Sequence, residues 1–317
     1  MSTEFDQRVA PTESTPADAF VTDDPATEAE SSLLVLDGVA PEPDVVLKKK
    51  RHIGVWLALG WLVLVTVLAI TADFLPLQDP DLITPQANQG PGLRLTEPLG
   101  TDNLGRSLTS RVIYGGRVSL TVCLFASVLA LVAGTLIGLA GGYFRGATDT
   151  VLDVIINAML AFPPLIFLIA VTTILEPSVQ SLAFCLGLLG IPLLVRVARA
   201  NTIAVADREY VTAARAMGMR SGRILLREVL PNILPAVLSF VLVVAAALIV
   251  AEGSLSFLGL GIRPPTPSWG VMIANARAQL QEYPYQMLIP AAVFFFTVLS
   301  LNTVGNYARA RAEGRQG

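Results

Sequence analysis

Charged and reactive side chains are scarce in this chain, and each scarcity excludes a class of function. Only 15% of the 317 residues are charged, and His52 is the single histidine. A metal site or proton relay built on histidine is therefore nearly excluded. The only lysines are Lys48–Lys50, so the chain cannot hold the phosphate-binding motif G-x-x-x-x-G-K-[ST]. Without that motif, the chain is not expected to bind ATP itself.

The two cysteines, Cys123 and Cys185, each lie inside an apolar run, so we expect small core residues rather than a disulfide framework. No histidine, cysteine or paired-carboxylate arrangement suggests hydrolysis. We therefore predict no catalytic residue and no metal site. A chain of Asp, Glu and His through the apolar runs is also missing, which disfavours a proton-coupled carrier.

Apolar residues, in contrast, are abundant. They make up 53% of the chain, and the mean hydropathy is +0.62, well outside the range of ordinary soluble domains. A run of about 20 apolar residues is long enough to cross a hydrocarbon core of roughly 30 Å. We therefore predict an all-α polytopic membrane protein with six spans: 53–72, 118–144, 151–175, 178–195, 236–257 and 287–306.

Residues 1–47 differ in kind, because they hold eleven acids and only Arg8. Their Pro, Thr, Ser and acid content predicts a disordered acidic cytoplasmic tail. The remaining predicted divisions are a first span with its basic flank over 48–75, an outer segment over 76–117, a five-helix core over 118–306 and a second cytoplasmic tail over 307–317.

The basic residues divide unevenly between the two sides of the membrane. Fifteen lie on the side of Lys48–Arg51, against six on the other side: Arg94, Arg106, Arg111, Arg117, Arg263 and Arg277. The positive-inside rule then predicts that both termini and the loop 207–235 are cytoplasmic.

The outer segment contains GTDNLGRSLTSRVIYGGRVSL over 100–120. Thr101 or Asp102 can cap a helix in which Leu104, Leu108 and Val112 form one apolar stripe. We predict that this helix lies flat on the outer membrane surface. Arginines in it are expected to pair with carboxylates or lipid phosphates rather than with substrate: Arg106, Arg111 and Arg117.

The loop 207–235 predicts a short amphipathic helix. At 100° per residue, one face carries Tyr210, Ala213, Ala214 and Met217, and the other carries Arg208, Thr212 and Arg215. Small residues on the first face would let another backbone approach closely. Gly218 suits the left-handed position that ends a helix. The loop is therefore predicted to dock into another protein.

Within the spans, two features could serve either structure or transport. Breaks are expected at Phe162, Pro163 and Pro164, where packing by small residues and a gating or pathway role are about equally favoured. Asp153 and Glu252 are ionisable groups near the ends of spans, for which structural pairing is favoured over a direct functional role.

The spacing Ala213-Ala214, Gly218 and Leu230-Pro231 resembles the coupling-loop signature of permease subunits in ATP-binding-cassette importers. The outer segment, EYVTAARAMG, and SLSFLGLGIRPPTPSWG over 254–270 are similar to the dipeptide, oligopeptide and nickel branch, and more narrowly to its second permease subunit. The resemblance covers about 48–311. The chain departs from it with Thr212 in place of Glu, Glu228 in place of Ile, and Ser107 in place of Asp.

This resemblance implies a permease of the bacterial plasma (inner) membrane, paired with a second, homologous permease subunit. It implies two ATPase subunits that carry ATP and Mg, an extracytoplasmic solute-binding protein, and no nucleic acid. Short peptides are the expected cargo. The coupling surface is expected at Glu209, Tyr210, Ala213, Ala214, Met217 and Gly218, with Leu230 and Pro231 as the turn into the fifth span. Alternatives are a permease for a non-peptide solute such as a nickel chelate, or a gradient-driven carrier.

Overall fold

The structure is a computed structural model that describes residues 53–92, 97–176 and 178–313. Within these ranges the chain is helical, and the only strand-like pairing is an isolated bridge between Thr101 and Ser107. The predicted disordered tail over 1–47 and the basic residues Lys48–Arg51 lie outside the described residues.

Ten α-helices follow one another along the described chain. They are α1 (Ile53–Thr71), α2 (Leu108–Phe144), α3 (Ala147–Ala161), α4 (Pro164–Ile174), α5 (Val179–Ala206), α6 (Glu209–Ala216), α7 (Ser221–Ile224), α8 (Leu230–Phe257), α9 (Trp269–Ala276) and α10 (Tyr285–Glu313). Short 3₁₀ turns follow α1 and α9 at Ala72–Phe74 and Arg277–Gln279, and a π-helical turn, Leu225–Val229, joins α7 to α8.

Five uninterrupted helical segments are long and apolar enough to cross a membrane: Ile53–Phe74, Leu108–Phe144, Val179–Ala206, Ser221–Phe257 and Tyr285–Ala312. The predicted all-α membrane fold is therefore confirmed. The third predicted span is not one helix, because α3 and α4 meet at an angle of 88°. Phe162 is extended at the break. Proline has no N–H to donate and disfavours helix at the residue before it, so Pro163 and Pro164 end α3.

The closest helix contact joins α2 to α5. Ala126, Ala130, Gly134, Gly138 and Gly142 recur every fourth residue along α2 and so form one stripe. A Cβ added at Gly138 would lie 2.7 Å from both the Cβ of Ala198 and the carbonyl oxygen of Val195. Small residues at this spacing let two backbones approach closely, as in other membrane helix pairs.

The same contacts show that α2 and α5 run in the same direction. Gly187 meets Ala126, Gly134 meets Leu194, and Gly142 meets Thr202, so position increases along both helices together. The chain between two parallel neighbours must return along their length, and α3 and α4 make that return. We call the end of the bundle that carries α6 the α6 side, and the end that carries residues 75–92, 97–107 and α9 the far side.

The remaining long helices pack around this pair. α8 and α10 are antiparallel, because Gly253 of α8 meets Phe294 while Val243, earlier in α8, meets Gly305. α1 lies at the edge, where Trp61 Nε1 donates a hydrogen bond to Thr297 Oγ1 of α10 at 3.1 Å. Its outer face is apolar and exposed, which suits a helix in contact with lipid.

Several helices extend beyond the predicted spans. α2 begins at Leu108 rather than 118, α5 ends at Ala206 rather than 195, and α10 reaches Glu313, so 307–313 are helical rather than a tail. At 1.5 Å per residue, the 37 residues of α2 extend about 55 Å, more than the roughly 30 Å of a hydrocarbon core. Hydropathy marks only the lipid-buried part of such a helix.

The prediction of a separate surface helix capped by Thr101 or Asp102 is wrong. The helix that follows is the start of α2, and its N-cap is Ser107, whose side chain accepts the N–H of Ser110. Asp102 instead closes a turn, because its Oδ1 accepts the N–H groups of Leu104 and Arg106. Gly105 continues that turn with a φ of +79°.

The α2–α5 contact can be tested by substituting Gly138 with leucine. We expect Gly138→Leu to destabilise the protein by at least about 1–3 kcal/mol, since the added side chain would overlap the backbone of α5. The measurement is thermal unfolding of the purified protein in detergent. Gly60→Leu in α1 is the matched control, because nothing lies within 4 Å of its added Cβ. Equal melting temperatures for the two variants would contradict the close contact.

Candidate functional site

The short helix α6 is the element of the predicted docking loop. Glu209 in its first turn and Arg215 in its last turn complement the helix dipole. The helix ends in a Schellman motif, in which Met219 N donates to Ala214 O and Gly218 N donates to Arg215 O. Gly218 has a φ of +78°, which confirms its predicted left-handed conformation.

One face of α6 is buried within the chain itself. Val211 and Ala214 pack into the main core beside Ile224 and Val229. Ala214 is only 4% exposed, so the prediction that it shares an outer surface with Ala213 is wrong. Ala214 lies three residues after Val211, and this spacing turns both side chains to the same, inward face.

The outer face of α6 remains accessible. Glu209, Tyr210, Ala213 and Gly218 are exposed. Met217 is 77% exposed, which is unusual for a large apolar side chain at a helix end. Among the described residues, nothing covers these positions. The predicted coupling residues thus lie on one accessible surface, apart from Ala214, Leu230 and Pro231. We call Glu209, Tyr210, Ala213, Met217 and Gly218 the α6 surface.

Polar contacts hold α6 against the ends of α2 and α5. The guanidinium of Arg215 lies over the Tyr143 ring, 5.3 Å from its centroid. Arg145, which follows α2, donates to Asp207 Oδ2 at 2.7 Å beside the start of α6. Each contact is exposed and contributes little alone, but both restrain the same short helix.

After the turn at Gly218, the connection to α8 is helical from Ser221 onward. The predicted turn at Leu230 and Pro231 is wrong, since Leu230 N donates to Leu225 O, five residues earlier, and α8 begins there. Pro231 is tolerated because it lies in the first turn of α8, where a missing N–H costs least. A π-helical turn so placed absorbs the irregularity without breaking the helix. The segment from Ser221 to Phe257 therefore acts as one continuous rod.

A cavity of about 350 Å³ opens at the break between α3 and α4. Phe162, Pro164 and Phe167 line one wall, and Leu189 and Pro192 of α5 line another. The predicted break at 162–164 and the proline inside α5 thus meet at one apolar space. Pro163 is at the break but does not line the cavity. The last carbonyls of α3 have no intrahelical donors, and Ala158–Leu160 of that turn line the cavity as well.

An ion-pair network ties α3 to α5 on the α6 side. Arg199 of α5 contacts both oxygens of Asp149, with Nη2 at 2.7 Å from Oδ2, and its Nη1 lies 2.9 Å from Asp153 Oδ1. Asp153 also accepts a hydrogen bond from Asn157. The structural pairing predicted for Asp153 is confirmed. These contacts hold the first half of the broken pair against the parallel helices.

Glu252 is the most deeply buried carboxylate of the described chain, at 1% exposure. Its Oε1 accepts a hydrogen bond from Ser256 Oγ at 2.9 Å, and its Oε2 accepts one from Ser119 Oγ of α2 at 3.3 Å. Ser119 Oγ in turn accepts the N–H of Trp269, the first residue of α9. Glu252 therefore joins α8, α2 and α9 and does not line any of the cavities described here.

The far side is held by ion pairs, of which the Arg106–Asp102 pair is buried on both sides. Arg106 Nε lies 2.7 Å from Asp102 Oδ2, and Arg111, 2% exposed, contacts Asp81 Oδ1 at 3.1 Å. Arg117 contacts Asp73 at 2.9 Å and the carbonyl oxygen of Ala69 at the end of α1. The predicted pairing of these arginines with carboxylates is confirmed. Only Arg111 and Arg117 are helical, and both belong to α2.

Sequence reasoning missed Ser119, Arg199 and Tyr143. Ser119 is one of many serines, and only the packing of α9 shows that it bridges two elements. Arg199 is one of seven arginines between 196 and 227, and nothing in the spacing singles out its two acid partners. The sequence did contain one signal. Asp149 and Asp153 are one turn apart on α3, so a shared arginine partner for these two carboxylates could have been predicted.

We expect Glu252→Ala to loosen α9, because it removes the acceptor of two buried hydroxyls. Leaving a buried donor unsatisfied costs about 1–3 kcal/mol. Hydrogen exchange of the Trp269–Ala276 amides should accelerate. Ser254→Ala on the same helix is the control, because Ser254 donates only to a carbonyl of its own helix. Unchanged exchange in Glu252→Ala would contradict the bridging role.

Comparison with known proteins identifies related sequences. The profile of the family described as binding-protein-dependent transport system inner membrane component matches residues 130–315. A dipeptide transport system permease protein of Alkalihalophilus pseudofirmus is 34% identical over 268 residues, which cover 83% of this chain and 86% of the relative. A glutathione transport system permease protein of Pectobacterium atrosepticum is 32% identical over 262 residues, 82% of this chain and 86% of the relative. A putative peptide transport system permease protein of Brucella abortus is 34% identical over 273 residues, 86% of this chain and 91% of the relative.

Solved structures share the fold at low identity. An inward-facing form of the MetNI methionine ABC transporter superposes with a TM-score of 0.53 and 16% identity, covering 64% of this chain and 96% of that chain. A second crystal form of the same transporter gives a TM-score of 0.54 with 14% identity, covering 65% and 97%. Likeness at this identity concerns the fold alone.

Proposed function

Since the chain belongs to the family of binding-protein-dependent transport system inner membrane components, we propose that it is a permease subunit of an ATP-driven importer for short peptides. In this role it forms half of the translocation pathway and couples to separate ATPases. The observation that carries the proposal is the α6 surface, an accessible face on a helix that is otherwise anchored in the core of the chain.

We base the proposed cargo on the names of the similar proteins, taken together. Their names include a dipeptide, a peptide and glutathione, which is itself a modified tripeptide. Identity of 32–34% over more than four fifths of this chain supports the same chemical class of cargo. We therefore propose short peptides rather than a nickel chelate or another non-peptide solute.

Energy must reach this chain from outside. All its lysines lie at 48–50, so no phosphate-binding loop can form, and ATP with its Mg is hydrolysed on two partner ATPase subunits. The α6 surface is the point of contact with one of them. A second, homologous permease completes the pathway, and an extracytoplasmic solute-binding protein delivers the cargo.

The route from α6 into the membrane is mechanical. Val211 and Ala214 of α6 belong to the same buried cluster as Ile224, which lies on the continuous helical segment that leads into α8. A displacement of α6 by nucleotide-driven closure of the ATPases is thereby transmitted to a span as a tilt. Alternating access follows as rocking of helix bundles about a site near the middle of the membrane.

The cavity at the α3–α4 break belongs to the pathway in this proposal. Pro192 lies near the middle of α5, and the cavity is apolar, with backbone carbonyls at its edge that can accept N–H groups of a peptide. Glu252, for which the sequence left a pathway role as the less favoured alternative, has the structural role in this proposal, because it is buried and accepts hydrogen bonds from two hydroxyls.

The proposal also includes the orientation of the chain in the membrane. The α6 side is cytoplasmic by the positive-inside rule, which also puts both termini there and the far side outward. The parallel course of α2 and α5 supports a sixth crossing by the broken pair α3–α4, since an odd number of crossings must separate them.

The coupling role predicts a cross-link from the exposed face of α6. With Met217→Cys or Ala213→Cys in native membranes, we expect a disulfide adduct with cysteines placed on the partner ATPase, in a yield that changes several-fold when ATP is added. Because Ala214 faces inward, Ala214→Cys is the matched control and should give little adduct. The native Cys123 and Cys185 are buried, so we expect no adduct from them.

Two results would oppose the coupling role. One is the absence of any adduct from Met217→Cys or Ala213→Cys in a transporter that still imports peptide. The other is an adduct from Ala214→Cys that equals the one from Met217→Cys. Uptake that needs only this chain and follows the membrane gradient would instead identify a gradient-driven carrier.

The pathway role predicts that filling the cavity at the break slows transport. Leu189→Trp adds bulk to the lining, so we expect peptide uptake to fall several-fold while the subunits still co-purify. Phe184→Trp on the same helix is the control, because Phe184 is exposed and does not line the cavity. Normal uptake by Leu189→Trp would exclude this cavity from the pathway.

A further inference from the structure

A groove on the α6 side of the bundle takes no part in the function proposed above. It consists of two adjoining cavities of about 290 and 470 Å³ that share Ser239 and Ala312. The walls come from the last third of α5, the first third of α8 and the end of α10. We call this space the three-helix groove.

Small and apolar residues form most of its walls, and the two asparagines among them, Asn201 and Asn232, donate to backbone carbonyls four residues earlier. Ala200 of α5, Ala236 of α8 and Ala312 of α10 leave room between the helices, and Phe240 and Leu238 supply apolar surface. Ser239 lies between the two cavities and its hydroxyl donates to the carbonyl oxygen of Ala236, so it offers little polarity to the groove. An elongated apolar wall of this kind suits a hydrocarbon chain.

Guanidinium groups, in contrast, stand at its edges. Arg196 and Arg309 line the first cavity and Arg311 lines the second, and all three are exposed. Arg196 donates one hydrogen bond to Asn157 Oδ1 at 2.7 Å, which leaves further N–H groups of the fork available. None of the described residues that line the groove is acidic.

Apolar walls combined with exposed guanidinium groups indicate the chemical class of the ligand. Arginine forks match the oxygens of a phosphate, and basic recesses between membrane helices are known to bind lipid headgroups. Arg309 and Arg311 lie near the end of α10 and Arg196 lies nearer the middle of α5, so guanidinium groups and the apolar side chains of α8 border the same space. A free anion would use the guanidinium groups but leave the apolar walls unused.

We infer that the three-helix groove binds an anionic phospholipid, with the headgroup phosphate on Arg196 and Arg311 and an acyl chain along Ala236, Leu238 and Phe240. The site does not depend on the peptide cargo or on ATP. The bound lipid would fill the space between α5, α8 and α10 and stabilise the end of the bundle that supports α6.

The experiment uses the transporter purified in mild detergent with its co-expressed subunits. Dioctanoyl phosphatidylglycerol, dioctanoyl phosphatidylcholine and inorganic phosphate are each titrated, with bound lipid counted by native mass spectrometry and the melting temperature followed in parallel. We expect saturable binding of phosphatidylglycerol, weaker binding of phosphatidylcholine, and no stabilisation by phosphate alone.

Variants locate the site. Each arginine removed should weaken phosphatidylglycerol binding by about 5-fold, so Arg311→Gln and the double variant Arg196→Gln/Arg311→Gln should form a graded series. Arg223→Gln is the matched control, an exposed arginine of α7 on the same side that does not line the groove. Ala236→Trp keeps every arginine and fills the apolar wall, so it should also lose the lipid even if Arg196→Gln disturbs the fold.

Four outcomes would overturn the inference. They are equal binding of the two lipids, equal stabilisation by inorganic phosphate, undiminished phosphatidylglycerol binding in both Ala236→Trp and Arg311→Gln, and displacement of the lipid by an equal concentration of a dipeptide. The last would assign the groove to cargo. Binding of lipid by the isolated chain but not by the assembled transporter would assign the groove to the partner permease and would also overturn it.

Discussion

The close contact between α2 and α5 is the constraint on which the rest of the structure depends. It exists because alanine and glycine recur every fourth residue along α2, so that the two backbones nearly touch. Their parallel course forces the intervening chain to return along them, and the return is broken at Pro163 and Pro164. The same contact brings Arg199 to its partners Asp149 and Asp153. If α2 and α5 packed less closely, neither the path of α3 and α4 nor the position of α6 would be fixed.

The surface proposed for coupling and the cavity proposed for transport lie in opposite kinds of environment. The α6 surface is accessible and rests on a buried face, so it can receive a partner without losing its place. The cavity at the α3–α4 break is apolar and lies between helices that proline has already interrupted. The rod from Ser221 to Phe257 connects the first region to the membrane interior. On the far side, the ion pair between Arg111 and Asp81 joins the start of α2 to the segment before it, where Arg106 pairs with Asp102.

Much of this was predictable from residue types and their order. Apolar runs identified five spans and the position of a sixth segment. They could do so because a helix in lipid makes all of its backbone hydrogen bonds within its own segment. Proline marked the break at 162–164, and glycine marked the end of α6. Acidic partners for the far-side arginines followed from the cost of leaving a charge unpaired near a membrane.

What the sequence by itself determined is therefore the class, the helices and their weak points, because these depend on local composition and on the bilayer as solvent. Only the tertiary structure decided which face of α6 is free: Ala213 and Ala214 are equivalent by composition, but Ala214 joins Val211 in the buried core and Ala213 stays exposed. It also decided that Asp102 closes a turn, that Glu252 bridges three helices, and that Arg196, Arg309 and Arg311 share one groove. Such contacts join residues distant in the chain, and their partners depend on how the helices pack.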